Sequence, residues 1–276
     1  MPEISAADVK ALRELTGLPM MECKRALEAS GGDREAAVKS LREMGKKTQE
    51  TRLGRDTSAG RIAVYTDMAR GVGAMIELLC ESAPVAGSPD FKQFANDLAK
   101  QLATGPGAAT AEELLAQPSP SKPGKTLAAE KDDMFNRMRE VFKVGRIVRI
   151  DGPCGGYAHH DGSMGALVEV SGGSAEAAKD IAMHIVAKKP TAVSKEDLNP
   201  ADIDKEREIL SVAARREGKP ENIIAKMIDG RLRNFFAERV LLEQPFVKEE
   251  SQTVGAMAKQ AGVTIRRFVR WELGKA

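Results

Sequence analysis

The amino-acid sequence predicts an α+β protein, in which three N-terminal helices precede a core of two similar lobes, each an antiparallel sheet with helices on one side. Three observations predict this class. Apolar residues recur at helical spacing in the first 45 residues, strand-like and helix-like runs alternate from Gly60 onward, and short pieces of these runs recur later in the chain.

Capping residues mark the three N-terminal helices, which make up a predicted domain of residues 1–45. Ser5 can cap the first helix, and Gly17 can end it. Pro19 opens the second helix, since proline is tolerated at a helix start, and Asp33 is placed to cap the third. A bundle this small exposes much of its surface, and its usual purpose is to bind a partner.

The rest of the chain divides into a linker and two lobes. Residues 46–59 are polar and carry no apolar period, which predicts a linker, with partial helix as an option. Residues 60–142 are predicted as the first core lobe. Residues 143–276 are predicted as the second, because three short sequences of the first lobe return there in the same order. These pairs are Gly145-Arg146-Ile147 with Gly60-Arg61-Ile62, GALVEV from Gly165 with GAMIEL from Gly73, and the helix around Asp180 with the helix around Asp97.

The second lobe contains an insertion, residues 200–243, which is predicted to be an antiparallel helical hairpin of coiled-coil type joined at Gly218-Lys219-Pro220. Apolar residues recur seven positions apart in both helices. They are Ile203 and Leu210 in the first helix, and Ile228, Phe235 and Leu242 in the second. After the insertion, the run TIRRFVRWEL from Thr264 predicts a strand that completes the second sheet, although its apolar residues alternate imperfectly.

Composition excludes several classes of protein. The chain has 276 residues with 42 Lys and Arg against 40 Asp and Glu, and a net charge of +2 argues against a dedicated nucleic-acid binder. No apolar stretch approaches the roughly 20 residues of a membrane span, and no export signal opens the chain. Cys23, Cys80 and Cys154 are odd in number and lack metal-binding spacing, so we expect free thiols in a cytoplasmic protein.

One cluster could carry covalent or metal chemistry. His159-His160-Asp161, with Cys154 nearby, could form a metal site or a nucleophile site. Adjacent residues of a strand point to opposite faces, however, and Asp161-Gly162 is typical of a hairpin turn, which favours a solvent-facing hairpin end. The sequence has no GxxxxGK(S/T) phosphate loop and no GxSxG turn. We therefore expect no cofactor and no bound metal.

Met20 and Met21 stand together at the start of the second helix. Two successive side chains at a helix start cannot both face inward easily, so one is a candidate for an adaptable contact surface. Core packing and partner contact stay equal alternatives on this pattern alone.

Four segments resemble the elongation factor Ts family, and together with the repeated lobes they span essentially the whole chain. The segments are long and occur in the family's order, which makes the resemblance specific. They are LRELTGLPMMECKRAL at 12–27, DIAMHIVAKKP at 180–190, EGKPENIIAKMIDGRLRNFFAERVLLEQPFV at 217–247, and FVRWELG in the closing strand.

The resemblance implies a bacterial guanine nucleotide exchange factor, without covalent chemistry, whose partner is the GTPase elongation factor Tu. It implies that the N-terminal helices form a ubiquitin-associated-like domain that holds the GTPase domain, with Met20 and Met21 in the contact. It also implies a contact role for His184 near the magnesium and phosphate region of the GTPase. From the residues alone, the ordinary interpretation of His184 is a helix residue packed on a sheet, and only the resemblance favours the contact role.

One family signature differs in this chain. Family members place Thr-Asp-Phe-Val after a cysteine at a strand end, and the Asp-Phe pair is the part that pushes into the magnesium and phosphate site of the GTPase. This chain reads Ser82-Ala83-Pro84-Val85 after Cys80-Glu81. Ala83 and Pro84 supply neither a carboxylate nor an aromatic ring, so an adaptor or stabilising partner of elongation factor Tu, with weakened exchange, is the alternative function.

Two further questions stay open from the sequence. A small-molecule enzyme built on His159-His160-Asp161 is a third hypothesis for the function. The oligomeric state is also open, with a homodimer among the outcomes, because exposed sheet faces could pair two copies.

Overall fold

The computed structural model describes residues 4–52, 54–216 and 221–275, and its class is α+β, as the sequence predicts. Over these residues no helix is both long and apolar enough to cross a membrane. The elements are α1 (Ala6–Thr16), α2 (Met20–Ala29), α3 (Arg34–Arg52), β1 (Ala59–Asp67), β2 (Val72–Cys80), α4 (Ala83–Ala86), α5 (Pro89–Thr104), α6 (Ala111–Leu115), α7 (Leu127–Met138), β3 (Lys143–Asp151), β4 (Cys154–Ala158), β5 (Met164–Ser171), α8 (Ala175–Lys188), α9 (Pro200–Arg216), α10 (Glu221–Arg239), β6 (Pro245–Phe246), β7 (Glu249–Thr253), α11 (Val254–Gln260) and β8 (Thr264–Glu272).

The N-terminal helices begin and end at the capping residues. The Ser5 hydroxyl accepts the Asp8 N–H at 3.1 Å, and Gly17 ends α1 with a φ of 69°, a conformation that glycine adopts without strain. The Asp33 carboxylate accepts two N–H groups of the first turn of α3. Pro19 directly precedes α2 instead of occupying its first turn. The helices enclose a small core of Val9, Leu12, Leu18, Cys23, Ala26, Leu27, Ala37 and Leu41.

The predicted linker is partly helical, because α3 continues to Arg52, well into the segment 46–59. Sequence periodicity misses this extension because the helix contacts the rest of the protein through a glycine and polar groups. Gly45 lies against Asn136, where an added Cβ would come within 1.8 Å of the amide oxygen. Near its end, Arg52 donates a hydrogen bond to the carbonyl of Arg139 at 2.6 Å.

Two antiparallel three-stranded sheets form the core, with strand orders β1-β2-β3 and β4-β5-β8, and β6 pairs with β7. The prediction that residue 143 opens the second lobe is wrong for β3, which pairs with β2 in the first sheet. Gly145 therefore does not occupy a position equivalent to that of Gly60, because β1 and β3 lie on either side of β2 in the first sheet. The strand of the second sheet that corresponds to β1 is β4. The strand near the C-terminus, β8, pairs with β5 and completes the second sheet as predicted.

The two sheets pack face to face, and helices cover their outer sides. Ile62, Met75 and Leu167 lie in the apolar layer between the sheets. The alternate residues of β2, such as Ile76, face α5 and α7, and the alternate residues of β5, such as Val168, face α8 and α11. Because β2 is covered on both faces, nearly all of its residues are buried, which explains why its sequence is almost continuously apolar.

Glycines set the close distance between these layers. A Cβ on Gly165 of β5 would lie 2.6 Å from Ile62 Cγ2, and a Cβ on Gly156 of β4 would lie 2.5 Å from Val64 Cγ1, both across the sheet interface. Gly155 faces the other way, where a Cβ would lie 2.3 Å from the backbone of α8. Because these two consecutive residues of β4 lack side chains, the first sheet approaches one face of the strand closely and α8 approaches the other.

The half-buried guanidinium of Arg146 joins the two sheets at one end of the interface. Arg146 of β3 donates to both carboxylate oxygens of Glu77 on β2, at 3.1 and 2.6 Å. The same guanidinium lies 5.0 Å from the ring centre of Trp271 on β8 and donates to the carbonyl of Glu272 at 2.9 Å. The planar guanidinium thus satisfies the hydrogen bonds of the Glu77 carboxylate and at the same time fixes the end of β8.

A β-bulge explains the imperfect alternation of β8. Glu169 of β5 pairs with Arg267, but the next residue of β5 pairs with Ile265, which leaves Arg266 as the extra residue. The bulge shifts the phase of the strand, so Ile265 and Phe268 both pack against the outer cluster while Trp271 faces the other sheet.

The insertion forms a helical pair, α9 and α10, as expected. Leu232 and Phe235 of α10 are buried, together with Ala214 of α9. α10 ends at Arg239, so Leu242 lies in the short 3₁₀ turn that follows and not in the helix. The joint predicted at residues 218–220 lies outside the described residues.

A matched pair of substitutions tests the sheet interface. Gly165→Ala is expected to lower the free energy of unfolding by about 2 kcal/mol, because the methyl group would overlap Ile62. The same change at Gly230, an exposed position of α10 with nothing within 4 Å, is expected to raise stability by about 1 kcal/mol, since alanine is the better helix former. Urea unfolding followed by circular dichroism measures both values. Equal effects of the two substitutions would contradict close packing between the sheets.

Candidate functional site

The segment Ser82–Val85 forms a short turn that projects from the end of β2. The strand ends at Cys80, and the one-turn helix α4 begins at Ala83. Ala83 and Pro84 are exposed, whereas Val85 is half-buried against the core between the first sheet and its helices. Pro84 lies in the first helical turn, where its missing N–H forfeits no hydrogen bond. The exposed tip therefore presents two apolar side chains without a charge.

The base of this turn is firmly held by neighbouring carboxylates. The Ser82 N–H donates to one oxygen of Glu140 at 3.1 Å, and its hydroxyl donates to the other at 2.5 Å. In return, Glu81 accepts the Val141 N–H at 2.9 Å and pairs with Arg55 at 3.0 Å. Burial alone would raise the pKa of Glu81, but the Val141 hydrogen bond and the Arg55 guanidinium outweigh it and lower the pKa.

The residues that anchor the turn carry no signal in the sequence. Ser82 and Glu140 are 58 positions apart, and Glu140 belongs to the loop after α7. No motif or period connects the two segments. Only the fold, which returns the chain to the end of β2 before β3 begins, brings Glu140 and Val141 beside Glu81 and Ser82.

Met20 and Met21 are both exposed, by 51% and 57%, so the core-packing alternative does not hold for either side chain. Leu15 and Met44 are also large apolar side chains exposed on the N-terminal helices. Methionine is flexible and polarisable, and such side chains adapt to an irregular partner surface. The N-terminal helices thus present exposed apolar side chains, Met20 and Met21 among them.

His184 is completely buried, which corrects the expectation that it contacts a partner directly. On α8, its Nδ1 accepts the Val247 N–H at 3.1 Å and its Nε2 faces the Gln244 amide oxygen at 2.9 Å. The Gln244 amide group in turn donates to the carbonyls of Glu238 and Lys188. This network fixes the neutral imidazole with its proton on Nε2. Burial is the main cause that lowers the pKa of His184 below its ordinary value.

A groove lies next to His184 on the surface of the same helix. Its volume is about 450 Å³, and Met183, Ala187 and Val247 line it together with Tyr157 and Met164. Because Val247 is hydrogen-bonded to His184, the imidazole holds one wall of this groove without reaching its surface.

The cluster His159-His160-Asp161 forms the predicted hairpin end between β4 and β5. Burial alone would raise the pKa of Asp161, but the hydrogen bonds that its carboxylate accepts from the Ser163 N–H and hydroxyl outweigh it and lower the pKa. Cys154 lies at the opposite end of β4, and burial raises the pKa of its thiol to about 11, so it stays protonated at neutral pH. Among the described residues, no group of three or more His, Cys, Asp and Glu could hold a metal ion. The geometry therefore favours a structural turn over a catalytic site.

Comparisons with known proteins give one consistent result. The family model described as elongation factor Ts matches residues 81–275. The elongation factor Ts of Methylococcus capsulatus is 42% identical over 275 residues, which are 99% of this chain and 92% of the relative. The elongation factor Ts of Aquifex aeolicus is 38% identical, with 98% of each chain covered, and that of Thermobifida fusca is 39% identical, with 100% of each covered.

The buried imidazole predicts a pH dependence of stability. Below its ordinary pKa of 6.5, the unfolded chain binds a proton on His184 that the folded chain takes up only at lower pH, so the free energy of unfolding falls as the pH drops. His184→Gln is expected to be less stable than the wild type by about 1–3 kcal/mol at pH 7.5, because the Val247 N–H loses its acceptor. The loss of stability between pH 7.5 and 5.5 should be smaller in the variant. Urea unfolding at both pH values measures this, and parallel losses in the two proteins would contradict the assignment.

Proposed function

The chain belongs to the elongation factor Ts family and is a translation elongation factor; from this premise we propose that it is a guanine nucleotide exchange factor for the GTPase elongation factor Tu. It associates with elongation factor Tu bound to GDP and promotes the release of GDP and its exchange for GTP. The observation that carries the proposal is similarity to elongation factor Ts proteins over 98–100% of the chain.

The proposed mechanism is differential binding without covalent chemistry. A GTPase holds GDP through the amides of its phosphate loop and a magnesium ion. A factor that binds the nucleotide-free GTPase more tightly than the GDP-bound form must weaken GDP binding by the same factor. The exchange factor is therefore not an enzyme in the covalent sense, and it needs no cofactor of its own.

Each described surface has a part in this proposal. Helices α1–α3 form a ubiquitin-associated-like domain that contacts the GTPase through Met20 and Met21. The turn Ser82–Val85 displaces the magnesium and phosphate contacts. His184 acts indirectly, by holding Val247 and α8 in place beside the groove. The hairpin α9–α10 is a coiled coil that grips the partner elsewhere, and the exposure of Ile209 and Val212 on α9 supports a contact role.

We keep the proposed domain division with two amendments. The N-terminal domain extends along α3 beyond residue 45, because this helix is continuous to Arg52. The first core lobe includes β3, and the second begins with β4, because β3 pairs with β2. A homodimer stays a prediction.

The alternative is an adaptor or stabilising partner of elongation factor Tu with weakened exchange. Its support is the tip of the turn, where Ala83 and Pro84 supply neither a carboxylate nor an aromatic ring. An apolar tip can still displace water and ions by its volume, but it cannot attract or replace a charged ligand of the magnesium ion. The alternative function therefore has the same partner as the main proposal but a slower release of GDP.

Stopped-flow release of a fluorescent GDP from the cognate elongation factor Tu tests the function. Saturating protein is expected to accelerate release roughly tenfold to a hundredfold, the range of ordinary coupling between two binding sites. The double variant Ala83→Asp with Pro84→Phe is expected to accelerate it further, because a carboxylate and a ring would then face the magnesium site. Both side chains are exposed, so the melting temperature should not change.

The outcomes separate the two functions. No acceleration by the wild type, together with a stable complex on size-exclusion chromatography, would refute exchange and support the adaptor. An unchanged rate in the double variant would show that the turn does not carry the exchange step. The same two changes at exposed positions outside the turn, Ala116→Asp with Pro123→Phe, are the matched control and should leave the rate as in the wild type.

A further inference from the structure

We propose that Glu140 is a positioning residue for the turn Ser82–Val85, and that the adjacent Arg139 couples this turn to the helix that carries Met20 and Met21. The inference rests on the proposed exchange function and adds residues that the exposed surface does not reveal. These residues fix the positions of the two proposed contact surfaces relative to each other.

Glu140 holds the first residue of the turn with both carboxylate oxygens. One oxygen accepts the Ser82 N–H at 3.1 Å and the other accepts the Ser82 hydroxyl at 2.5 Å. A serine before a helix ordinarily uses its hydroxyl to cap that helix, but the Ser82 side chain makes no capping bond to α4. The hydroxyl is instead directed to Glu140, which shows that the contact with Glu140 takes precedence over the local cap.

The two segments hold each other reciprocally. Glu81, next to Ser82, accepts the N–H of Val141, which is next to Glu140, at 2.9 Å. Each segment thus supplies one carboxylate and one backbone N–H to the other. Hydrogen bonds to ionised carboxylates are shorter and stronger than neutral ones, so the pair fixes the base of the turn. The exposed tip Ala83-Pro84 follows directly in the chain and takes its position from this base.

Arg139 connects the same segment to the N-terminal helices. Its guanidinium forms an ion pair with Glu22 of α2, the residue after Met21. Its carbonyl accepts a hydrogen bond from Arg52 of α3 at 2.6 Å. Arg139 has a φ of 59°, a left-handed conformation that a non-glycine residue keeps only when its surroundings hold it. Its surroundings are the end of α7, where the Arg139 N–H donates to the Phe135 carbonyl, and the contacts with α2 and α3.

These contacts form a continuous path from the apolar surface of the N-terminal helices to the turn. The path runs from Glu22 to Arg139, along the backbone to Glu140, and from there to Ser82. A factor of this kind must apply binding energy gained at one surface to the nucleotide site at another. When the two surfaces are held rigidly relative to each other, less conformational freedom is lost as the complex forms. The rate of GDP release is therefore higher.

The test is the dependence of GDP release from elongation factor Tu on the concentration of the protein. Glu140→Gln keeps the size of the side chain but turns an amide N–H₂ toward a donor of Ser82. The maximal release rate is expected to fall about tenfold, as for the loss of one charge-assisted hydrogen bond, while the half-saturating concentration stays within about twofold. Glu169→Gln is the matched control, since Glu169 loses a comparable bond to Arg267 at 2.6 Å, far from the turn in sequence. It should keep the wild-type maximal rate.

Coupling to α2 is measured with a double-mutant cycle. Glu22→Gln is expected to lower the maximal rate by a smaller factor, and this effect should disappear in the Glu140→Gln background. Thermal unfolding of every variant separates positioning from general destabilisation, which would lower the melting temperature and the rate together.

Three results would overturn the inference. They are an unchanged maximal rate in Glu140→Gln, an equal loss in Glu169→Gln, and a Glu22→Gln effect that persists in full beside Glu140→Gln. The wild-type measurement keeps the two proposals apart. If the wild-type protein does not accelerate GDP release, the proposed function fails; if it does and Glu140→Gln is equally fast, only the positioning role fails.

Discussion

The close packing of two antiparallel sheets on each other is the constraint on which the rest of the structure depends. Gly156 and Gly165 leave no room for a side chain at this interface, and Arg146 joins the sheets at one end through Glu77 and β8. Because each sheet has its inner face covered by the other, all the helices of the core must lie on the outer faces. The strand ends and the connecting loops then remain free to carry the contact surfaces.

From this arrangement follows the position of the candidate site. β2 is the central strand of the first sheet and is buried along nearly its whole length, so its end is a fixed point. The turn Ser82–Val85 leaves from that point and is held at once by Glu140 and Val141. The proposed exchange function has no covalent step, and what the fold supplies to it is a rigid base for an exposed tip. Burial and hydrogen bonding at the base of the turn are therefore as much a part of the site as the exposed residues.

Local features of the fold could be predicted from the sequence, and features that depend on distant partners could not. Ser5, Gly17 and Asp33 act through their neighbours in the chain, and their roles as caps are evident from the sequence. The pairing of β3 with β2 could not be foreseen, because a strand does not encode which neighbour it will join. Likewise, the pattern of residues around His184 is the same for a buried and an exposed imidazole. Once buried, its Nε2 is satisfied by Gln244, which lies 60 positions away.

The central claim is that the protein binds the nucleotide-free GTPase in preference to the GDP-bound form. Calorimetric titration of the protein into elongation factor Tu in both states measures this directly. A markedly smaller Kd is expected for the nucleotide-free form, and the ratio of the two Kd values should equal the factor by which saturating protein raises the Kd for GDP. Equal affinity for the two states would contradict the account, because a ligand without such a preference cannot shift nucleotide binding.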